Sequence, residues 1–374
     1  MRIAFVTETF LPATDGVVSR LRHTLEELAV LGDEAFVVAP KYPEGGPDRC
    51  AGAPIYRVPG VPFPPYPQIR LSLAHPGVGR ALRRFRPDVI HTVNPFVLGP
   101  GGIYYAWRLD VPLVASYHTH VATYARYYGL RFLAGAGRWY TRQLHNRAVI
   151  NLCTSRATME RLLDEGIERV HLWPQGVDAR RFSPDKASQV WRERLCGGHP
   201  EEKLLLYVGR LGREKGIERL RAVTREVPGT RLAIVGDGPA RRDLERAFAG
   251  TSTVFAGLLW GEDLAAAYAS ADVFLFPSTT ETLGMAMIEA LASGLPVIAA
   301  RSGATDEVVT DGESGILYEK DSTSALVGAV RRLLSDEGLR QALSRGARSA
   351  AERRDWAHST RTLRGYYLRA LEKG

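Results

Sequence analysis

The chain has 374 residues, long enough that two domains are the ordinary expectation. Its hydrophobic content of 45% and charged content of 24% are globular values, and no apolar run approaches the ~18 residues of a membrane helix. Cys50, Cys153 and Cys196 are far apart and odd in number, which excludes a disulfide framework or a metal spacing and fits a reducing cytoplasm.

Residues 1–6, Met1-Arg-Ile-Ala-Phe-Val6, read as a first buried strand and run straight into Thr7-Glu8-Thr9 with no leader cleavage site. Thr7-Glu-Thr-Phe-Leu-Pro-Ala-Thr-Asp-Gly-Val17 joins this strand to a helix over 17–31, where Val18, Leu21, Leu25 and Leu28 keep 3- and 4-residue spacing. Asp15-Gly16 marks a tight turn that places the N–H of Gly16 at a helix start. Further strands are predicted at 35–38, 89–91, 113–116, 148–153, 204–208, 232–235, 254–255, 273–276 and 296–299. Many are followed by a turn and a helix, one of them over 264–270. Residues 60–67, Gly-Val-Pro-Phe-Pro-Pro-Tyr-Pro, read as a rigid proline-rich surface loop. The strand–helix series runs twice, with a break between Trp173-Pro-Gln-Gly-Val-Asp178 and Phe182-Ser-Pro184. The expected fold is α/β, with parallel sheets covered by helices on both faces. The expected domains are 1–183 and 184–355, with a helix over 356–374 that crosses back to the first. Two such doubly wound domains bind ligands at the carboxyl ends of their strands and, facing each other, enclose a cleft.

The formal charge of +8 is unevenly placed. Residues 57–147 hold twelve arginines against Asp88 and Asp110, an excess of ten. That asymmetry suggests a polyanionic partner, either an anionic membrane face or nucleic acid. The arginines fall in no recognisable nucleic-acid module, so a membrane surface is expected and nucleic acid is not. The stretch 124–140 interleaves Tyr124, Tyr127, Tyr128, Phe132 and Trp139 with Arg126, Arg131 and Arg138, a pattern suited to a bilayer interface. The plain alternative is a helix whose aromatics face the core.

Four motifs carry chemistry. Glu281-Thr-Leu-Gly-Met-Ala-Met-Ile-Glu289 sets two carboxylates seven residues apart around Gly284, which can open a helix. Eight helical residues rise about 12 Å, roughly the span from the sugar of a sugar nucleotide to its ribose. Carboxylates at both ends accept hydroxyls, and the helix N-terminus between them offers N–H groups to a diphosphate. The loop Gly209-Arg-Leu-Gly-Arg-Glu-Lys-Gly216 puts Arg210 and Lys215 at a strand end, where an anion would sit. Gly236-Asp-Gly-Pro239 ends another strand, and its glycines let backbone approach a flat ligand. His118 and His120 follow the strand over 113–116. They have no third metal ligand nearby, so His118 reads as a polar group reaching a substrate, and His120 as structural or acceptor-side.

Gly209-Arg210-x4-Lys215-Gly216, Gly236-Asp-Gly-Pro239, Pro277-Ser278, Glu281-x7-Glu289 and Ala292-Ser-Gly-Leu-Pro296 together resemble the retaining glycosyltransferases of family 4, of GT-B fold. Within that family the chain is most similar to the sulfolipid synthases of cyanobacteria and chloroplasts. The matching stretches are Thr7–Pro12, Ser19-Arg-Leu-Arg-His-Thr24, His91-Thr-Val-Asn-Pro95, Ala115-Ser-Tyr-His-Thr-His120, Asn151-Leu-Cys-Thr-Ser155, Trp173–Asp178 and Ala267-Tyr-Ala-Ser-Ala-Asp-Val273. The resemblance implies an acceptor-side first domain and a nucleotide-sugar donor domain after it. It implies a metal-independent enzyme that moves a sugar such as sulfoquinovose from a UDP-linked donor to a lipid such as diacylglycerol. Such an enzyme needs no cofactor beyond its co-substrate and works peripherally at the inner membrane face. A GDP-mannose-dependent mannosyltransferase is the alternative.

By the same resemblance, Glu289 holds the ribose, and Arg210 and Lys215 neutralise the diphosphate. Gly16 offers its N–H from the other domain. Glu281 with Thr282, Leu283, Gly284 and Met285 holds the donor sugar, and Gly209, Gly236, Gly238 and Leu258 complete the donor site. His118 meets the sugar near the reacting carbon. Two departures from the family pattern, Gly303-Ala-Thr-Asp306 and Met285-Ala-Met287, bear on the choice of sugar.

Overall fold

The computed structural model describes residues 1–13, 15–63, 66–118, 134–280 and 284–373. The chain divides into two compact units, Met1–Gly176 with Trp356–Gly374, and Val177–Asp355. The division falls at Gly176 because Val177 and Phe182 already belong to the core of the second unit.

The first unit is built on β1 (Arg2–Thr7), β2 (Glu34–Pro40), β3 (Arg49–Cys50), β4 (Ala53–Val58), β7 (Val89–Val93), β8 (Leu113–Ser116), β9 (Ile150–Cys153) and β10 (Val170–Leu172). Their order is β10-β9-β8-β7-β1-β2-β4-β3, parallel except for the short β3–β4 pair. Side chains alternate across a strand, and β1 divides accordingly. Ile3 and Phe5 pack with Val18, Leu21, Leu25 and Leu28 of the Gly16–Val30 helix and with Leu363 and Tyr367 of the Trp356–Leu371 helix. Ala4 and Val6 face Val78, Leu82, Leu98 and Tyr105 on the opposite side. The four apolar positions read by spacing are thus the buried stripe of their helix.

The second unit holds β11 (Lys203–Val208), β12 (Thr230–Val235), β13 (Thr253–Gly257), β14 (Val273–Phe276), β15 (Val297–Ala300) and β16 (Gly315–Tyr318), all parallel, in the order β13-β12-β11-β14-β15-β16. Leu204, Leu206 and Val208 pack with Ile288, Leu291 and Phe274. Leu205 and Tyr207 pack with Leu220, Val223, Leu326 and Val330 on the other face. Strand order reverses beside β1 in one unit and beside β11 in the other, and each reversal opens a crevice at the carboxyl ends of its strands.

One expectation is corrected. Residues 60–67 do not form a simple loop: β5 (Gly60–Phe63) pairs antiparallel with β6 (Tyr66–Ser72), with Val61 opposite Leu71 and Pro62 opposite Arg70. In a two-stranded ribbon every strand is an edge, so proline's missing donor can face outward. The helix of the paired-glutamate motif opens at Gly284, as its sequence implies, runs Met285–Ala292 and carries Glu289. Gly284 ends the approach with φ 82, a left-handed conformation.

Candidate active site

In the second unit the expected donor residues gather at the carboxyl ends of β11, β12 and β14. Gly209 and Arg210 follow β11, and a 3-10 turn over Arg213–Lys215 leads to Gly216. Glu214 is buried and pairs with the Arg210 guanidinium at 2.5 Å, which orients that side chain, and Lys215 is itself buried. The next loop packs directly on this one. Leu211 N–H donates to Asp237 O at 2.9 Å, and Ala240 N–H donates to Leu211 O at 2.9 Å. A Cβ on Gly236 would stand 2.0 Å from Gly209 O. The close approach that Gly236 permits is therefore to the neighbouring loop. Leu258 is exposed just beyond β13.

Gly284 is the cap of the Met285–Ala292 helix, with no capping side chain and no acidic residue in the first turn. A Cβ there would meet Met287 Cε at 2.6 Å, which the flexible Met287 side chain can yield, so it is the φ of 82 that favours glycine. Among the described residues no acidic side chain caps these N–H groups, and a helix start of that kind suits an anion. Glu289 follows one turn later, half-buried, and its Oε2 accepts the Tyr268 hydroxyl at 2.9 Å. Burial pushes its carboxyl up to about 7, against the opposing effects of the Tyr268 hydrogen bond and Arg181. Glu281, Thr282 and Leu283 lie outside the described residues. The divergent segment Gly303–Val308 is a helix closed by a Ser302–Thr305 capping box, and Asp306 pairs with Arg301 at 2.7 Å.

In the first unit, His118 follows β8 and is buried. Its backbone N–H donates to Asn94 Oδ1 at 3.2 Å, and its Nε2 lies 2.8 Å from Ser116 Oγ. Its ring meets Trp173 edge-on at 5.7 Å. Burial, then Arg20, His91 and His145, hold it neutral well below the usual histidine range. Arg20 is also buried. Its guanidinium lies 3.7 Å over the Trp173 ring and donates to Gln175 Oε1 and to the carbonyls of Trp173 and Pro174. Gly16 opens its helix, but Asp15 caps it by accepting from Val17 and Val18 N–H, both at 2.9 Å. Glu8, at the end of β1, accepts from the N–H groups of Phe96, Val97, Leu98 and Gly99 where the Gly99–Leu109 helix begins.

Of the stretch read as a membrane face, Arg138 and Trp139 are exposed on the Ala134–His145 helix. They line an open depression with Arg142, Asp164 and Glu165, so local charge is more balanced than the sequence excess implied. Tyr124, Arg126, Tyr127, Tyr128, Arg131 and Phe132 lie outside the described residues, as does His120. Among the described residues no three His, Cys, Asp or Glu side chains form a metal-binding group, and no helix is long and apolar enough to cross a membrane. Glu8, Arg20 and Tyr268 were not singled out from sequence as site residues. Each sits in a stretch marked by resemblance, which was the available signal.

Two doubly wound parallel sheets with glycine-rich and charged loops at their strand ends define the GT-B class of glycosyltransferases. Residues 14–181 match the model of Glycosyltransferase Family 4, and residues 195–350 that of Glycosyl transferases group 1. The chain is 38% identical to the sulfoquinovosyl transferase SQD2 of Arabidopsis thaliana, over 97% of this chain and 72% of that protein. It is 39% identical to a GDP-mannose-dependent alpha-mannosyltransferase of Mycobacterium tuberculosis, over 98% of this chain and 96% of that protein. Its fold is similar to that of sucrose-phosphate synthase from Thermosynechococcus elongatus, with a TM-score of 0.80 at 22% identity and both chains covered in full. The chain belongs to the family 4 glycosyltransferases and is a hexosyltransferase.

Proposed function

We propose that this enzyme transfers a hexosyl group, sulfoquinovose or a related sugar, from a UDP-sugar to a lipid hydroxyl such as that of diacylglycerol, with retention at the anomeric carbon. The observation that carries the donor reading is the start of the Met285–Ala292 helix, which has no acidic residue in its first turn and shares one sheet edge with Arg210, Lys215 and Glu289. The likeness to the sulfoquinovosyl transferase supports the sugar and the lipid.

The chemistry follows from charge. As the bond between the anomeric carbon and the phosphate oxygen breaks, negative charge grows on the diphosphate. Arg210, Lys215 and the N–H groups after Gly284 meet that charge in a preorganised array. Glu289 accepts the ribose hydroxyls, and Glu281 with the backbone of Leu283 and Met285 holds sugar hydroxyls. His118, kept neutral, hydrogen-bonds the sugar near the reacting carbon. The acceptor oxygen attacks from the face that the diphosphate leaves, and its proton passes to the departing phosphate oxygen. Retaining glycosidases instead pair two carboxylates about 5 Å apart, one of them a nucleophile.

A GDP-mannose-dependent mannosyl transfer is the second reading. The mannosyltransferase relative favours it, being matched over nearly its whole length. The acceptor reading places the enzyme at an anionic membrane surface on the cytoplasmic side, docked through 124–140, and gives nucleic acid no part.

The test is transfer by the purified protein to diacylglycerol in anionic vesicles, with UDP-sulfoquinovose, UDP-glucose and GDP-mannose as separate donors and mass spectrometry of the lipids. A sulfoquinovosyl or hexosyl lipid formed only from a UDP-sugar is expected. Product from GDP-mannose alone supports the second reading, and no lipid product from any donor overturns the lipid acceptor. Replacing Arg126, Arg131 and Arg138 together with Ser should weaken vesicle binding by about 1 kcal/mol per charge. Undiminished sedimentation with the vesicles rejects that docking face.

A further inference from the structure

Tyr268 is a buried tyrosine on the Gly261–Ala269 helix, its ring set edge-on against Phe182 and tilted against Phe274. A hydroxyl in such a place needs a partner. Its partner is Oε2 of Glu289 on the following helix, 2.9 Å away. That helix is itself fixed, since Ile288 and Leu291 are in the core and Arg348 donates to Ala292 O at its end. A glutamate side chain has three rotatable bonds, and holding it in one conformation costs rotamer freedom. A hydroxyl anchored by a buried ring supplies a fixed point that removes much of that freedom before any ligand arrives.

We propose that Tyr268 is a positioning residue: by donating to Oε2 it fixes the Glu289 carboxylate so that Oε1 accepts a ribose hydroxyl of a nucleoside diphosphate. The proposal rests on the reading of Glu289 as the ribose acceptor. It also explains why a full-sized tyrosine interrupts the run Ala265-Ala-Ala267, where apolar packing alone would accept phenylalanine.

The same contact links donor binding to pH. A carboxylate accepts at both oxygens, whereas a carboxylic acid must place a proton on one of them. Burial brings the Glu289 ionisation to about 7, and the Tyr268 hydrogen bond pulls in the opposite direction by favouring the carboxylate. Arg181, paired with Asp178, also favours the carboxylate. Tyr207, on the other face of β11, acts on Tyr268 only at longer range, Arg348 comes from the Glu337–Glu352 helix, and β14 and β15 contribute only apolar side chains. The sign follows. Nucleotide affinity is low where Glu289 is protonated, rises as pH passes through about 7, and then levels off. Loss of the Tyr268 hydroxyl moves the rise to higher pH.

The test is calorimetric titration of UDP, and of GDP in parallel, into the full chain, Tyr268→Phe and Glu289→Gln between pH 6 and pH 9. Phenylalanine keeps the ring packing. Tyr268→Phe should bind nucleotide roughly fivefold to tenfold more weakly at pH 7. The deficit should shrink toward pH 9 to the smaller, persistent part that lost positioning leaves, and its donor KM should rise more than its kcat falls. Glu289→Gln should bind weakly at every pH. Equal weakening of Tyr268→Phe across the whole range would be a packing effect and overturns the proposal. Parent-like binding by Tyr268→Phe with weak binding by Glu289→Gln also overturns it, while leaving the ribose reading intact. Parent-like binding by Glu289→Gln removes the ribose reading, and the proposal with it.

Discussion

The two units share a sheet plan but differ at particular helix starts beside their strand ends. In the first unit the protein's own carboxylates fill two of them: Asp15 at the Gly16–Val30 helix and Glu8 at the Gly99–Leu109 helix. In the second, the Met285–Ala292 helix opens on glycine with no carboxylate in its first turn. A helix start attracts negative charge by its N–H groups and its dipole. Where a side chain meets that demand the site is structural, and where none does an external anion can meet it. The contrast separates two helix starts that the protein fills itself from one that can take a ligand.

The contrast breaks most directly at the cations. Arg210→Ala or Lys215→Ala should reduce kcat by about a hundredfold to a thousandfold, because these groups meet charge that grows in the transition state. Steady-state kinetics that show only a raised KM would mean that they bind substrate and transition state alike. Glu289→Ala comes next. Loss of a hydrogen bond to a charged acceptor is worth roughly 1.5–3 kcal/mol, so UDP affinity should fall about tenfold to a hundredfold. Unchanged affinity in calorimetry removes Glu289 from the donor site.

The first unit should respond in stability. Glu8→Ala strips the Gly99–Leu109 helix of its cap and should cost about 1–2 kcal/mol, a fall of roughly 2–8 °C in melting temperature. UDP affinity should survive. A large loss of UDP affinity without a change in melting would show that this helix start also serves the ligand. The smallest effect sharpens the role of Gly16. Asn caps a helix as well as Asp does, so Asp15→Asn removes charge and keeps the cap. If the Gly16 N–H faces the diphosphate, donor KM should fall about twofold to threefold by relief of repulsion. An unchanged KM argues against Gly16 as a donor contact.

Much of this was legible in the sequence because parallel strands are continuous apolar runs and their loops carry glycine. All ten predicted strands are present, and the Val18, Leu21, Leu25 and Leu28 stripe is buried. The hairpin at Gly60–Phe63 and Tyr66–Ser72 was hidden by its prolines, which read as a loop until a ribbon with two free edges accommodates them. Val170–Leu172 and Gly315–Tyr318 are too short to show a period. The start of the glutamate-motif helix was legible because Gly284 stands directly before the apolar run of 285–292, and its left-handed φ opens the helix. Glu8, Arg20 and Tyr268 acquire meaning only from partners distant in the chain. The Tyr268–Glu289 pair is 21 residues apart and the Arg20–Gln175 pair 155, and no local pattern encodes either.

The central claim is that the second unit, through its open helix start and flanking loops, holds the donor nucleotide. Backbone hydrogen exchange with and without saturating UDP or GDP tests it most directly, because it reads N–H groups themselves. Exchange should slow at 209–216, 236–238 and 284–289, with the amides of 96–99 unchanged because Glu8 already holds them. Slowed exchange confined to 96–99 or 16–18 in the first unit, with 284–289 unaffected, would contradict it.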